Sequence, residues 1–194
     1  ATRADLKGTT EVLVSTLNAY GLKTEAADRV SGVFFKTIAD GKIEMNDLSQ
    51  HLANLTPVSS AAGVSIEEVG AAVATLTASG VQPSTAIDSL RSAMSNIIKP
   101  SEQAAKLAAE LGIEFNATAL KTKGFKGVLD DVAKATGGST EQMALLFGDV
   151  TGLSSVLTLT GPQADKFAES LKGMGNTTGL VAEAFGKMVG SLEN

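Results

Sequence analysis

The sequence lacks cysteine, and its 194 residues include no tryptophan, one histidine and one tyrosine. Without cysteine the chain has no disulfides, no thiolate metal sites and no cysteine nucleophile, a composition that suits assembly in the cytoplasm. Aromatic residues make up 4% of the chain, whereas hydrophobic residues make up 43%. We therefore expect a core of aliphatic side chains and alanine rather than of aromatic rings.

Charged residues are also missing from two long stretches. Residues 48–66 and 69–87 contain no Asp, Glu, Lys or Arg, so Glu67 and Glu68 are the only charges between positions 48 and 87. A soluble helix without a charged face is normally surrounded by other helices, which predicts that this region lies at the centre of the fold. Proline and glycine interrupt both stretches, so we expect neither to form the roughly 20-residue apolar helix that crosses a membrane. We also expect no secretory signal, because the first residues show no basic region followed by an apolar one.

The central region, residues 56–90, alternates helix-forming segments with strong stop and start signals. Gly63 and Gly80 are each followed by valine, the pattern of a left-handed residue that ends a helix and an apolar residue that packs on its last turn. Ser65 and Glu68 have the spacing of a capping box, in which each side chain binds a free backbone amide of the other residue. Pro83 suits the first turn of the next helix.

Similar glycine stops recur through the first half of the chain. They fall at positions 21, 41, 63 and 80, about every 20 residues, which is typical of an array of helix hairpins. No window alternates apolar and polar residues with the two-residue period of a strand, so we predict an all-α fold of about nine or ten mostly short helices without a sheet. We predict a leading helix over residues 1–20, open to continuation from an upstream segment, and one helical domain over residues 21–194.

Local signals give more detailed expectations for individual helices. Thr24 is predicted to cap a helix that ends at Gly41, and Asn46 or Asp47 to begin the next one. Residues 114–124 show weak periodicity and are predicted to form an irregular connection. A final segment begins at Pro162, and its expected buried residues are Phe167, Leu171, Met174, Leu180, Phe185 and Met188.

Groups that could support catalysis or metal binding are few. His51 is the only imidazole, and without cysteine or converging carboxylates it favours a partly packed helix residue over a metal ligand. No serine lies in the Gly-x-Ser-x-Gly pattern of a nucleophile elbow. The glycine pairs at 137–138 and 173–175 lack the lysine and the preceding strand of a phosphate-binding loop. We therefore expect no enzyme, and no catalytic, cofactor-binding or metal-binding residues.

Two adjacent carboxylate pairs, Glu67 with Glu68 and Asp130 with Asp131, also favour a structural interpretation. Neighbouring residues in a helix project about 100° apart, so neither pair is arranged to share a proton. Acidic residues near the start of a helix are instead stabilised by its dipole, which is the role expected for both pairs.

Two surface hypotheses remain open. Residues 121–126, Lys-Thr-Lys-Gly-Phe-Lys, could contact nucleic acid through charge and stacking, but the nearby aspartates and the net charge of −5 favour a solvated connection and no specific nucleic-acid binding. The low-charge hairpin over residues 48–76 could contact a partner or a membrane, although core packing is the favoured interpretation.

In the order of its helix stop and start signals, the chain resembles the conserved domain of phage tail tape-measure proteins, the TP901-type minor tail protein family. Each matching piece is helix punctuation, but their order is fairly specific, and they extend over roughly residues 20–188. The matching positions are 63–69, 71–76, 80–81, 90–91, 99–101, 104–105, 111–113, 146–148, 152–153, 157–159, 176, 179–185 and 188. This chain differs at residues 87–91, Ile-Asp-Ser-Leu-Arg, where relatives often carry a Gly-Thr-x-Leu-Arg segment.

The resemblance implies a structural component of the virion, made in the host cytoplasm. Such a protein templates assembly of the tail tube, fixes its length and leaves the tube ahead of DNA at ejection. The implied partners are the tail-tube protein, tail-tip proteins, tail assembly chaperones and other copies of the chain, and the family supplies no catalytic residue at the matching positions. Tape-measure proteins are usually several times longer, so we expect this chain to be one compact region of a longer polypeptide.

Two alternatives belong to other functional classes. The region could be a membrane-active module that aids passage of DNA through the host envelope, using the uncharged hairpin after unfolding and making contact with the host membrane at ejection. It could instead be a helical adaptor or scaffold domain without any phage context.

Overall fold

The computed structural model describes residues 3–148 and 150–182, which are mostly helical and contain no strand. The all-α prediction is confirmed, although this part of the chain holds twelve helical segments rather than nine or ten. One is a 3-10 turn at Thr24–Ala26. The others are α1 Arg3–Ala19, α2 Ala27–Gly41, α3 Met45–Leu52, α4 Thr56–Ala62, α5 Ile66–Ala78, α6 Pro83–Ile98, α7 Glu102–Leu111, α8 Ala117–Thr136, α9 Thr140–Phe147, α10 Val150–Thr160 and α11 Ala164–Met174.

Helix α5 lies at the centre of the fold, as the absence of charge after its first turn predicts. Its contacts are most extensive with α2 and α11, and α6 packs mainly on α10. Ten consecutive or nearly consecutive positions of α5 are buried, including small residues on every side of the helix. The core is largely aliphatic, and Phe167 and Met174 of α11 are buried in it as expected. Phe185 and Met188 lie outside the described residues.

Helices α2 and α5 approach closely because two glycines lie at their contact. A Cβ atom on Gly70 would lie 2.6 Å from Thr37 Oγ1 and 2.8 Å from Val33 Cγ1, inside van der Waals distance. A Cβ atom on Gly41 would lie 2.5 Å from Thr77 Oγ1 on the opposite helix. The absence of these side chains therefore sets the distance between the two helices.

The predicted stop and start signals around α5 are confirmed. Gly63 and Gly80 take left-handed backbone angles, with φ of 74° and 93°. The Glu68 amide donates to Ser65 Oγ at 3.2 Å, and the Ser65 amide donates to the Glu68 carboxylate at 3.3 Å, which completes the capping box. Pro83 occupies the first turn of α6 as expected.

Two local predictions are wrong in the first part of the chain, and a third is only partly right. Helix α2 ends at Gly41 as predicted, but the left-handed position that terminates it belongs to Lys42, with φ of 54°, while Gly41 itself packs against α5. Thr24 does not cap α2 but begins the 3-10 turn, and Lys23 precedes that turn without a side-chain cap. Helix α3 begins before Asn46, at Met45, where Glu44 and Asp47 form the capping box.

The predicted irregular connection over residues 114–124 is also mostly helical. Asn116 accepts a hydrogen bond from the Ala119 amide at 2.9 Å, so it caps a helix that begins at Ala117. Gly124, with φ of 74° and ψ of 174°, breaks α8 into two parts, and the second part begins at Phe125, directly after the segment predicted to be irregular. The strong Asn cap outweighs the weak apolar periodicity of this segment.

The last described segment, residues 175–182, returns to the beginning of α2. Thr177 Oγ1 donates to the Arg29 carbonyl oxygen at 3.2 Å, and the Gly179 amide donates to the Asp28 carboxylate at 3.0 Å. Thr177 is buried against Gly32, where any side chain would collide with the Thr177 carbonyl group. This segment therefore covers the first part of α2 around Gly32.

The C-terminal end of α1 is attached to α4 by hydroxyl groups. Tyr20 and Ser59 share a hydrogen bond of 2.7 Å, and Ser60 Oγ donates to the Ala19 carbonyl oxygen. Burial raises the pKa of Tyr20 to about 12, above its ordinary value of 10.0, because the neutral phenol is favoured away from water.

Gly70→Ala is expected to lower the free energy of unfolding by about 1–3 kcal/mol, because the added methyl group overpacks the contact between α2 and α5. Chemical denaturation monitored by circular dichroism measures the change. Gly8→Ala in α1 is the matched control, since its Cβ atom would lie 3.5 Å from Ser49 Oγ, an ordinary contact. We expect the control to be neutral or stabilising by up to about 1 kcal/mol. Equal destabilisation by both variants would contradict the close-contact explanation.

The single tyrosine permits a direct test of its burial by absorbance near the tyrosinate band. The folded chain is expected to ionise Tyr20 near pH 12, whereas the chain in denaturant should ionise near the ordinary value of 10.0. Because the folded-state pKa is the higher one, this group stabilises the fold below pH 10 and loses that contribution as pH rises toward 12. Tyr20→Phe provides the blank. Identical midpoints in folded and denatured chains would show that Tyr20 is exposed.

Candidate functional site

The polar residues singled out by the sequence lie on separate helices. His51 is half-buried on α3, the pair Glu67 and Glu68 begins α5, and Asp130 and Asp131 lie in the second part of α8. Within residues 3–148 and 150–182, no group of three or more histidine or acidic side chains is arranged to hold a metal ion. The structure therefore does not gather these residues into one site.

Glu68 joins two helices through one carboxylate. One oxygen accepts hydrogen bonds from the amide and the hydroxyl of Ser65, both at 3.3 Å, and the other accepts the Lys126 amide at 3.2 Å. Lys126 lies in the first turn after the break at Gly124, so the same carboxylate caps α5 and the second part of α8. A side chain on Gly124 would collide with this carboxylate. The sequence predicts the first cap but not the second, which spans 58 residues.

Glu67 is also occupied by a structural contact. Its carboxylate forms an ion pair with the Arg29 guanidinium, and the Glu67 side chain is only 15% exposed. The pair connects the first turn of α2 to the first turn of α5. Both acidic residues predicted at this helix start therefore position other helices, in addition to interacting favourably with the dipole of α5.

Carboxylates pair with Lys123 and Lys126, two of the three lysines of the basic run. Lys123 Nζ lies 2.8 Å from Asp131 and 3.1 Å from Glu114, and Lys126 Nζ lies 2.6 Å from Asp130. The hydrogen bonds to Asp131 and Glu114 raise the pKa of Lys123 above its ordinary value. These exposed pairs contribute little stability each, but they neutralise much of the positive charge that a phosphate backbone would require.

The aromatic residue of the same run is unavailable for stacking. Phe125 is fully buried in the core, where it follows the break at Gly124. A base can stack only on an exposed ring, so the combination of charge and stacking considered from the sequence is not present on this surface.

The low-charge hairpin over residues 48–76 forms core rather than surface. Its large apolar residues are buried, among them Leu48, Leu52 and Leu55, together with most of α5. The favoured core interpretation is confirmed, and the hairpin is not an exposed contact surface in the folded chain. Within the described residues, no helix combines the length and apolarity that spanning a membrane requires.

One uncharged surface was not recognised from the sequence. Residues 150, 151, 153, 154, 157 and 158 lie on the side of α10 opposite to its buried residues, and we call them the α10 outer face. Val150 is 83% exposed, more than any other large apolar residue in the described ranges. The signal for this face was present, because Asp149 is the only charged residue between positions 142 and 164.

Glu68→Ala is expected to lower the free energy of unfolding by about 1–4 kcal/mol, because it removes caps from two helices at once. Thermal and urea unfolding monitored by circular dichroism measure the loss. Glu102→Ala provides the control, since Glu102 is an exposed acidic residue in the first turn of α7 whose cap comes from Ser101. We expect the control to cost about 0.5 kcal/mol through the dipole alone. If Glu68→Ala lowers the free energy of unfolding no more than Glu102→Ala does, the explanation that Glu68 caps two helices is contradicted.

Comparison with known proteins places these features in a family. The family model described as "Phage-related minor tail protein" matches residues 1–152. A tape measure protein of Pneumococcus phage Dp-1 is 28% identical over 184 residues, which cover 92% of this chain and 16% of that protein. A probable tape measure protein of Clostridium phage phiCD119 is 28% identical over 185 residues, which cover 92% of this chain and 20% of that protein.

A more distant relative extends the same comparison. A probable tape measure protein of Escherichia phage P2 is 22% identical over 190 residues, which cover 94% of this chain and 23% of that protein. The chain thus spans between about a sixth and a quarter of the length of these relatives. No solved structure matches it. The resemblance found in the helix punctuation is confirmed, because the family model covers most of the sequence, and the chain belongs to the phage-related minor tail protein family.

Proposed function

We propose that this chain is a compact helical region of a phage tail tape measure protein. In this proposal, the whole polypeptide templates assembly of the tail tube, its extended length fixes the length of the tail, and it leaves the tube ahead of DNA at ejection. The observation that carries the proposal is the set of relatives named tape measure protein, each aligned over more than nine tenths of this chain.

The helix lengths support a division of labour within the polypeptide. An extended helix of 194 residues would span about 290 Å at 1.5 Å per residue. The longest helix in the described part, α8, has 20 residues and is broken at Gly124. A region folded in this way contributes little length, so we assign length measurement to extended helical parts of the polypeptide and an anchoring or ejection role to this region.

The polar contacts support a structural role rather than an enzymatic one. Glu67 and Glu68 hold helices together, and Asp130 and Asp131 pair with lysines of the same helix. Carboxylates engaged in this way are not positioned as a general acid and base for a substrate. We propose that the chain acts through protein contacts alone, without a cofactor.

The proposed location and partners follow from the same role. We place the protein in the tail of the virion after synthesis in the host cytoplasm. Its proposed partners are the tail-tube protein, tail-tip proteins, tail assembly chaperones and other copies of this chain.

Tail length in particles with an altered full-length gene tests the proposal. An in-frame deletion of about 100 residues from an extended helical part, outside this region, is expected to shorten tails by about 150 Å. A deletion of about 50 residues should shorten them by about 75 Å, so the two variants test proportionality. Electron microscopy of negatively stained particles measures both lengths.

A substitution within this region serves as the matched control. Glu102→Ala in the full-length gene changes an exposed residue of α7 and is expected to leave tail length unchanged. Tails of wild-type length in both deletion variants would contradict the proposal that the extended polypeptide fixes tail length. Shortening without proportion to the deleted length would show that the deletions disturb assembly rather than measurement.

A further inference from the structure

The segment after α11 is held at one point and is otherwise exposed. We call residues 175–182 the strap. Thr177 is buried and Leu180 is half-buried, whereas the other six residues of the strap are exposed. The strap donates hydrogen bonds to α2 from the Thr177 hydroxyl, at 3.2 Å, and from the Gly179 amide, at 3.0 Å. Met174, the last residue of α11, is buried in the core, so the strap begins directly after the last anchor of that helix.

The surface that receives the strap is built by the rest of the fold. It consists of Asp28, Arg29 and Gly32, and we call these three residues the α2 notch. Asp28 and Gly32 are four positions apart in α2, so they lie on the same face of the helix. Helix α2 makes its most extensive contacts with α5, and the Arg29 guanidinium pairs with Glu67 there. The notch is therefore positioned by α5 and does not depend on the strap for its shape.

Gly32 gives the notch its fit to the strap. A Cβ atom at this position would lie 2.8 Å from Thr177 Cβ and would collide with the Thr177 carbonyl group. The three atoms nearest to it all belong to Thr177. A side chain at position 32 would therefore exclude the strap first, in contrast to Gly41 and Gly70, which permit the contact between α2 and α5.

Opening of the strap leaves few groups without a partner. The Arg29 carbonyl oxygen lies inside α2, where the amide four residues later is its regular donor, and the exposed Asp28 carboxylate can accept from water. The Thr177 hydroxyl and the Gly179 amide can donate to water. Because Thr177 is the one buried residue of the strap, opening exposes little apolar surface and requires far less free energy than global unfolding.

We propose that the strap is a releasable clasp that opens while helices α1–α11 stay folded, and that in its closed form it blocks a docking site at the α2 notch. The chemistry of the strap defines the partner that fits this site. The notch supplies two acceptors, a carbonyl oxygen and a carboxylate, beside a glycine. It suits a short turn-forming segment of a polypeptide that donates a hydroxyl group and, two residues later, a backbone amide, as in Thr-x-Gly or Ser-x-Gly.

Hydrogen exchange of the 194-residue chain, resolved by NMR, tests whether the strap opens alone. Exchange of the Gly179 amide, which is bonded to Asp28, is expected to be independent of urea at low concentration. Exchange of amides inside α5, such as that of Val73, should accelerate with urea because it requires global unfolding. Equal urea dependence at Gly179 and Val73 would show that the strap opens only with the whole fold, and would overturn the proposal.

Gly32→Ala prevents closure of the strap and separates release from unfolding. The Gly179 and Leu180 amides should then exchange as in an unstructured peptide, while protection in α5 falls by less than about tenfold and circular dichroism is unchanged. Gly8→Ala is the matched control, since its Cβ atom meets only an ordinary contact at 3.5 Å, and it should leave the strap protected. A larger loss of protection in α5 for Gly32→Ala, or a strap that stays protected, would equally overturn the proposal.

A peptide with the sequence of residues 174–182 tests docking at the notch in trans. Thr177→Ala combined with Gly179→Pro removes both donors of the strap and leaves the notch unchanged. The peptide should bind this released variant, and should bind the wild-type chain at least about tenfold more weakly because the attached strap competes at high effective concentration. NMR shifts of the Asp28 and Gly32 amides report binding.

Adding Gly32→Ala to the released variant provides the control for this titration and should abolish binding of the peptide. No shift with up to about 5 mM peptide, or equal binding to the wild-type chain, would overturn the proposal. The strap is a property of the fold and does not rest on the proposed function. Unchanged tail lengths would leave a releasable strap standing, and a strap that never opens alone would leave proportional shortening of tails untouched.

Discussion

The close contact between α2 and α5 is the constraint on which the rest of this fold depends. Gly41 and Gly70 remove the side chains that would separate the two helices, and the small residues of α5 allow α11 to approach it as well. Because α5 is enclosed in this way, the polar groups of its first turn must find partners on neighbouring helices. Glu67 and Glu68 do this by reaching α2 and α8, so packing at the centre and capping at the edge belong to one arrangement.

The features predicted correctly from the sequence are local in the chain. The Ser65 and Glu68 capping box and the left-handed Gly63 and Gly80 depend on residues within one turn, which their spacing reveals. The features missed depend on distant partners. Gly41 was interpreted only as a helix stop, because its contact with Thr77 cannot be inferred from neighbouring residues. For the same reason, the role of Glu68 at Lys126 and the surface position of α10 emerged only from the folded chain.

Most of the residues that the sequence singled out as possible functional groups have structural roles in the folded chain. The acidic and basic residues singled out from the sequence mostly form helix caps and ion pairs, and the charge-poor hairpin over residues 48–76 is buried in the core. Membership of the phage-related minor tail protein family agrees with the ordered stop and start signals found in the sequence. The groups that remain available for interaction lie on the surface, where the α10 outer face is unusual because it carries no charge.

The return of residues 175–182 to the beginning of α2 has a consequence for synthesis of the chain. Thr177 and Gly179 contact Arg29 and Asp28 across 148 and 151 positions of sequence. At roughly 5–20 residues per second, a ribosome needs about 8–30 seconds to make that interval. During this time α2 can pack on α5 but lacks the segment that covers Gly32. The nascent chain therefore presents an incomplete core until its last described residues emerge, and its native topology closes only after translation of nearly the whole region.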